Sequence, residues 1–143
     1  MGVIFNFNYN TNAYEVVFEF DGSVSGSNPQ GGLLEIGESV LYGTASKGGA
    51  NDMGVLFKFD LKTSIYTKLI DFDGVNSGSG PNGSLIMAND GNIYGTTYQG
   101  GDRTYGTIYQ YNLLSKQHQT DAIWGLFFTK RVVNKKWANG ISS

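Results

Sequence analysis

Gly2-Val3-Ile4-Phe5-Asn6-Phe7 returns as Gly54-Val55-Leu56-Phe57-Lys58-Phe59, and again in altered form as Gly106-Thr107-Ile108-Tyr109-Gln110-Tyr111. Both intervals are 52 residues (54 − 2 and 106 − 54). The same offset carries Phe20-Asp21-Gly22 onto Phe72-Asp73-Gly74, Pro29 onto Pro81, Leu41-Tyr42-Gly43-Thr44 onto Ile93-Tyr94-Gly95-Thr96, and Gly48-Gly49 onto Gly100-Gly101. About 20 of the 52 aligned positions are identical without a gap, so the chain is an internal repeat and its fold is the fold of one unit, used again.

Within a unit, large apolar residues alternate with small or polar ones, which is the period of a strand with one buried face. Four strands are expected: Val3 to Phe7, Tyr14 to Phe20, Gly32 to Ile36 and Val40 to Ala45, with counterparts in the second unit. Asp21-Gly22, Asp73-Gly74 and Asp90-Gly91 mark turns that need a positive φ. Gly43 and Gly95 fall inside strands, where glycine weakens pairing, so a second backbone or a packed aromatic is expected to approach there. Four strands in about 50 residues is the size of a propeller blade, and the expected class is all-β, built of four-stranded antiparallel blade-like repeats in an incomplete propeller. The units run 2–53 and 54–105, the first strand of a third reaches 112, and a divergent segment, 113–143, completes that partial repeat.

The motif from Leu33-Leu34 through Leu41-Tyr42-Gly43-Thr44 and Gly48-Gly49 to Gly54-Val55-Leu56-Phe57-Lys58-Phe59 resembles the GloVer-type tandem repeat of bacterial secreted proteins. The second unit fits it better, through Asp90-Gly91-Asn92-Ile93-Tyr94-Gly95-Thr96-Thr97. The resemblance covers residues 1 to about 112. It implies a propeller-like architecture and placement outside the cell or on its surface, and it carries over no catalytic residue; no cofactor is expected.

The composition of 143 residues agrees: 21 glycines, 2 prolines, 14% aromatic and 15% charged side chains describe short strands and tight turns. With no cysteine, thiol chemistry is excluded. The net charge of −2 points to no polyanionic partner, and the basic and aromatic residues near 127–137 sit in an acidic chain, so nucleic acid is not expected. No apolar run nears the roughly 18 residues that span a bilayer, and the N-terminus reads as a strand and not as a signal peptide. Charge is unevenly placed: residues 1–106 hold 5 basic and 11 acidic side chains, residues 107–143 hold 5 and 1.

Candidate chemistry is thin. His118 is the lone histidine and is expected in an exposed strand or loop. Asp71, Asp73 and Asn76, partly repeated by Glu19 and Asp21, offer oxygens for a cation, but a turn role for Asp73 is the simpler expectation. Glu19 and Asp71 occupy equivalent positions and are the pair a glycosidase reading would invoke. No glycine-rich segment sits between a strand and a helix with a lysine or acidic partner, so no phosphate or dinucleotide site is expected.

Tyr42, Tyr94, Tyr98, Tyr105 and Tyr109 could stack on sugar rings or fill the core, with Tyr98 and Tyr105 the candidate glycan contacts. Two units and a fraction cannot close a propeller, which takes about four blades, so each end should leave unpaired strand edges. The expectation is therefore a non-catalytic structural protein that assembles with copies of itself, head to tail, into a ring or filament, the terminal strand of one copy completing the partial blade of its neighbour, through Val3, Phe5 and Phe7 at one end and Trp124, Phe128 and Trp137 at the other. The basic residues Lys130, Arg131, Lys135 and Lys136 would favour docking onto an acidic neighbour. A glycan-binding module of the bacterial cell surface is the alternative.

Overall fold

A computed structural model of the chain describes residues 1–101 and 103–122, together with the strand pairing of 132–133 and 136–137. Every regular element among them is a strand: β1 (Val3–Asn8), β2 (Ala13–Glu19), β3 (Leu34–Ile36), β4 (Val40–Ala45), β5 (Val55–Asp60), β6 (Ile65–Asp71), β7 (Ser79–Pro81), β8 (Ile86–Met87), β9 (Ile93–Gln99), β10 (Thr107–Asn112), β11 (Gln117–Ala122), β12 (Val132–Val133) and β13 (Lys136–Trp137). The chain is all-β, with antiparallel sheets of two to five strands.

Three hairpins repeat one turn. Asn8 Oδ1 accepts from the N–H groups of Asn10 (3.0 Å) and Thr11 (3.2 Å); Asp60 Oδ1 does the same for Lys62 and Thr63, and Asn112 Oδ1 for Leu114 and Ser115. A side chain that satisfies the amides two and three residues on folds the backbone over locally. Asn12, Ser64 and Lys116 then take positive φ at the far end of each turn. β1–β2, β5–β6 and β10–β11 are thereby fixed as antiparallel pairs.

The sheets form across the boundary of the sequence period. β3-β4-β5-β6 takes two strands from residues 2–53 and two from 54–105, and in the next sheet β10 and β11 are joined to β9, which β7 and β8 flank. β1 and β2 form a two-stranded sheet. The third strand expected in the second unit, the counterpart of Gly32 to Ile36, is the short β8, which pairs the start of β9 through Met87↔Ile93, and an additional strand, β7, pairs its end through Ser79↔Gln99. Pro81 lacks an N–H to donate, so the ladder breaks there. In the first unit the counterpart of β7 is a single bridge, Ser27↔Lys47, and the strand read from Gly32 begins at Leu34.

Two cores result. Ile4, Phe20, Ala45, Val55, Phe57 and Phe59 join the β1–β2 hairpin to the four-stranded sheet. Leu56, Ile70, Phe72, Leu85, Ile93, Tyr109 and Tyr111 join that sheet to the next. Alternation along β5 divides the labour, with Val55, Phe57 and Phe59 facing one way and Leu56 the other. Burying each of these phenylalanines contributes roughly 1.5–3 kcal/mol. Tyr66 locks the first interface by stacking on Phe18 (centroids 4.5 Å, 4° between planes) and donating its hydroxyl to the Ser25 carbonyl at 2.7 Å. That burial, with the nearby Asp21 and Asp71 charges, pushes the Tyr66 hydroxyl pKa well above its usual range.

The turn glycines behave as expected, Gly22 and Gly74 taking φ +88 and +81. So do the strand glycines: a Cβ on Gly43 would lie 2.6 Å from Phe57 Cζ, and one on Gly95 would lie 2.3 Å from the Tyr109 hydroxyl. An aromatic ring covers each of them.

Candidate functional site

β1 carries Val3, Phe5 and Phe7 on one face and Ile4 on the other, as alternation requires. Ile4 is buried against the four-stranded sheet. The opposite face is open, and the register with β2 (Phe5↔Val16, Phe7↔Tyr14) adds two more apolar side chains to it. Phe5 and Tyr14 lie with their rings 5.2 Å apart, tilted by 38°.

The repeat supplies an internal comparison. Phe5 and Phe7 are 57% and 50% exposed, while Phe57 and Phe59, one unit later, are each 1% exposed. Tyr109 and Tyr111, one unit later again, are also buried. The residue types are nearly the same, so the difference is in what covers them: Phe57 and Phe59 pack under the β1–β2 hairpin, whose own outer face carries no sheet among the described residues. β5 also has β4 along its other side and β10 has β9, whereas among the described residues β1 pairs with β2 alone. Among the described residues the hairpin is thus a two-stranded sheet with unpaired backbone groups along β1.

The far end mirrors this. Thr44 is 2% exposed and Leu56 0%, both on the sheet face turned toward β9 and β10; their counterparts Thr96 and Ile108, on the outer face of the five-stranded sheet, are exposed and half-buried. Ile86 is exposed where Leu34 is half-buried. By repeat position, the outer face of the β1–β2 hairpin corresponds to the face of β5 that the hairpin covers, and the outer face around Thr96 and Ile108 to the face of β4 and β5 turned toward β9 and β10. A groove of about 250 Å³ lies beside β1, lined by Val3, Phe5, Pro29, Leu33, Thr44 and Phe57.

The carboxylates have structural partners. Asp73 Oδ1 accepts from the amides of Ser77 and Asn76 and from the Ser77 hydroxyl, each at 2.8 to 2.9 Å, and Asp21 is bound in the same way by Val24 and Ser25. These donors, the Ser77 amide first, hold the Asp73 carboxyl down at about 2, and the Ser25 amide leads the lowering at Asp21. Asp73 therefore closes its own turn. Asp71 pairs with Lys68 Nζ at 2.6 Å and accepts from the Ala50 amide at 2.8 Å. Glu19 is exposed at the end of β2, so the two members of the glycosidase pair stand in different sheets. Among the described residues no three His, Cys, Asp or Glu side chains converge as a metal site.

Of the aromatic candidates, Tyr94 and Tyr109 are core, Tyr42 is half-buried, and Tyr98 and Tyr105 are exposed at 70% and 62%. Their repeat counterparts are Ser46 and Met53, so this pair does not recur in the first unit. His118 is exposed in β11, opposite Tyr111. Trp124 and Phe128 lie outside the described residues, as do Lys130, Arg131 and Lys135; Trp137 and Lys136 lie in β13, which pairs with β12 as an antiparallel ladder. Among the described residues no helix is long and apolar enough to cross a membrane.

Sequence reading found Val3, Phe5 and Phe7 but missed Tyr14, Val16, Ile86, Thr96 and Ile108. The first two were recoverable, since an Asn8-centred turn fixes which β2 residues share a face with β1. The last three needed the knowledge that sheets form across the unit boundary.

A family model described as the Gloeobacter/Verrucomicrobia repeat matches residues 1–136. The match runs past residue 112 and takes in most of the segment read as divergent. Among curated proteins none matches the chain.

Proposed function

The chain belongs to the Gloeobacter/Verrucomicrobia repeat family, and on that footing we propose that it is a non-catalytic structural β-repeat protein, placed outside the cell, that assembles head to tail. Each copy is a run of blade-like sheets in a propeller-like stack. The outer face of the β1–β2 hairpin of one copy receives the outer face around Thr96 and Ile108 of the next, repeating the sheet-on-sheet contact found twice inside the chain. Such a contact is heterologous, so it closes into a ring or continues as a filament according to the rotation between copies.

The observation that carries this reading is the exposure of Phe5 and Phe7 beside the burial of Phe57 and Phe59 in the same sequence motif. Exposed contiguous apolar faces on a folded protein mark surfaces used in association. Negative-stain imaging of the purified chain tests it: rings or filaments are expected, and isolated small particles at all concentrations would reject it.

One observation favours a second reading. Tyr98 and Tyr105 expose large ring faces at one end of the five-stranded sheet, which suits stacking on a sugar. A glycan-binding surface module predicts saturable binding on a glycan array that is lost in Tyr98→Ala.

A further inference from the structure

The outer edge of β1 has two occupied counterparts in the same chain, and they agree on what belongs there. β5 is flanked by β4 in the register Phe57↔Gly43, and β10 by β9 in the register Tyr109↔Gly95. In both, the aromatic ring lies over the glycine so closely that a Cβ would fall 2.6 Å from Phe57 Cζ or 2.5 Å from Tyr109 Cζ. The flanking pairs match as well: Lys58↔Tyr42 and Gln110↔Tyr94, Phe59↔Leu41 and Tyr111↔Ile93, Leu56↔Thr44 and Ile108↔Thr96. β1 presents the same series, with Ile4, Phe5, Asn6 and Phe7 standing where Leu56, Phe57, Lys58 and Phe59 stand.

We propose that the open edge of β1 takes an added antiparallel strand of Tyr-Gly-Thr type from a further repeat of this kind, with its glycine set opposite Phe5. The proposal rests on the reading that the chain works by assembly, and it names the partner of one edge. Main-chain hydrogen bonds along β1 provide the attachment, as in strand addition generally, and the ring of Phe5 provides the register. A slip of one residue would put tyrosine where glycine is needed and turn every side chain to the wrong face. Among the described residues a folded second copy offers no free strand of this type. Two examples, in β4 and β9, are already bonded along both edges, β4 by β3 and β5, and β9 by β10 on one side and β7 and β8 on the other, and the third, Tyr105-Gly106-Thr107, leads into β10, which lies between β9 and β11. Copies therefore meet through their faces, while the β1 edge is left for the corresponding strand of another repeat.

The test uses the full chain and a labelled peptide of residues 91–99, which contains Ile93-Tyr94-Gly95-Thr96-Thr97. Fluorescence anisotropy should show saturable binding, and the same peptide with Gly95→Val should bind about tenfold more weakly or worse, because its side chain meets the Phe5 ring. In Phe5→Ala protein the two peptides should bind alike. Hydrogen exchange should slow at the amides of β1 when the first peptide is present. Equal affinity of the two peptides for the unaltered chain, or no binding by either, overturns the proposal. Light scattering on the same samples separates it from the assembly reading. A chain that self-associates yet binds neither peptide rejects the strand proposal alone, and a monomeric chain that discriminates between the peptides supports it and rejects self-assembly alone.

Discussion

The ring of Phe57 lies over Gly43: the two are direct register partners in β5 and β4, and a Cβ on the glycine would come within 2.6 Å of the ring and 2.7 Å of Leu33. Gly43→Ala should therefore destabilise the chain by about 1–3 kcal/mol, the range for overpacking a well-filled core. Urea denaturation followed by fluorescence measures this as a lower midpoint at unchanged slope. Combining it with Phe57→Leu should cost less than the sum of the two single changes, since the smaller side chain frees the space the methyl needs.

Tyr109 holds the place of Phe57 in the next unit, and its extra hydroxyl is buried against Gly95 with no hydrogen-bond partner among the described residues. Burial drives its pKa well above the usual tyrosine range. Tyr109→Phe removes a buried polar atom that has no partner among the described residues. It should stabilise the chain by about 1 kcal/mol, read as a higher melting temperature. A fall in melting temperature would mean that the hydroxyl has a partner.

Much of this fold could be read from the sequence because its signals are local. Alternation placed β1, β2, β4 and their counterparts to within a residue or two, and the glycines at 43 and 95 announced the rings above them. The grouping of strands into sheets was not legible. A repeat of 52 residues is equally visible wherever its boundary is drawn, while the choice of β4 as partner for β5 depends on tertiary packing of Phe57 against Gly43. The site shared that limit. Phe5 and Phe7 stood out as strand residues, but their exposure is a property of the missing neighbours and not of the motif, which is buried when it recurs at Phe57 and Phe59.

The turns at Asp21 and Asp73 give stability a pH dependence of definite sign. Asp73 has its pKa lowered from 3.8 to about 2 in the folded chain, chiefly by the Ser77 amide, so folding favours the charged form. The contribution is present above the unfolded value, near pH 4, and is lost as pH falls through about 2. Its size is moderated by solvent around an exposed carboxylate. Unfolding midpoints should decline across that window, and the decline should be shallower in Asp21→Asn/Asp73→Asn, whose side chains do not titrate.

Tyr66→Phe should cost about 1 kcal/mol, because the Ser25 carbonyl loses a 2.7 Å donor while the stack on Phe18 is kept. Tyr66→Leu should cost more, since it loses the stack as well. Thermal unfolding of the two variants side by side distinguishes the hydrogen bond from the ring contact.

Head-to-tail association through the outer face of the β1–β2 hairpin is tested most directly by light scattering across a concentration series, comparing the unaltered chain with Phe5→Glu/Phe7→Glu. Both side chains are at least half exposed in the single chain, so the double variant should stay folded, with a melting temperature within a few degrees (about 1 kcal/mol) of the parent. The unaltered chain should gain mass as concentration rises, and the double variant should remain at monomer mass throughout. An unaltered chain that stays monomeric at every concentration, or a double variant that assembles as readily as its parent, would contradict assembly through this face.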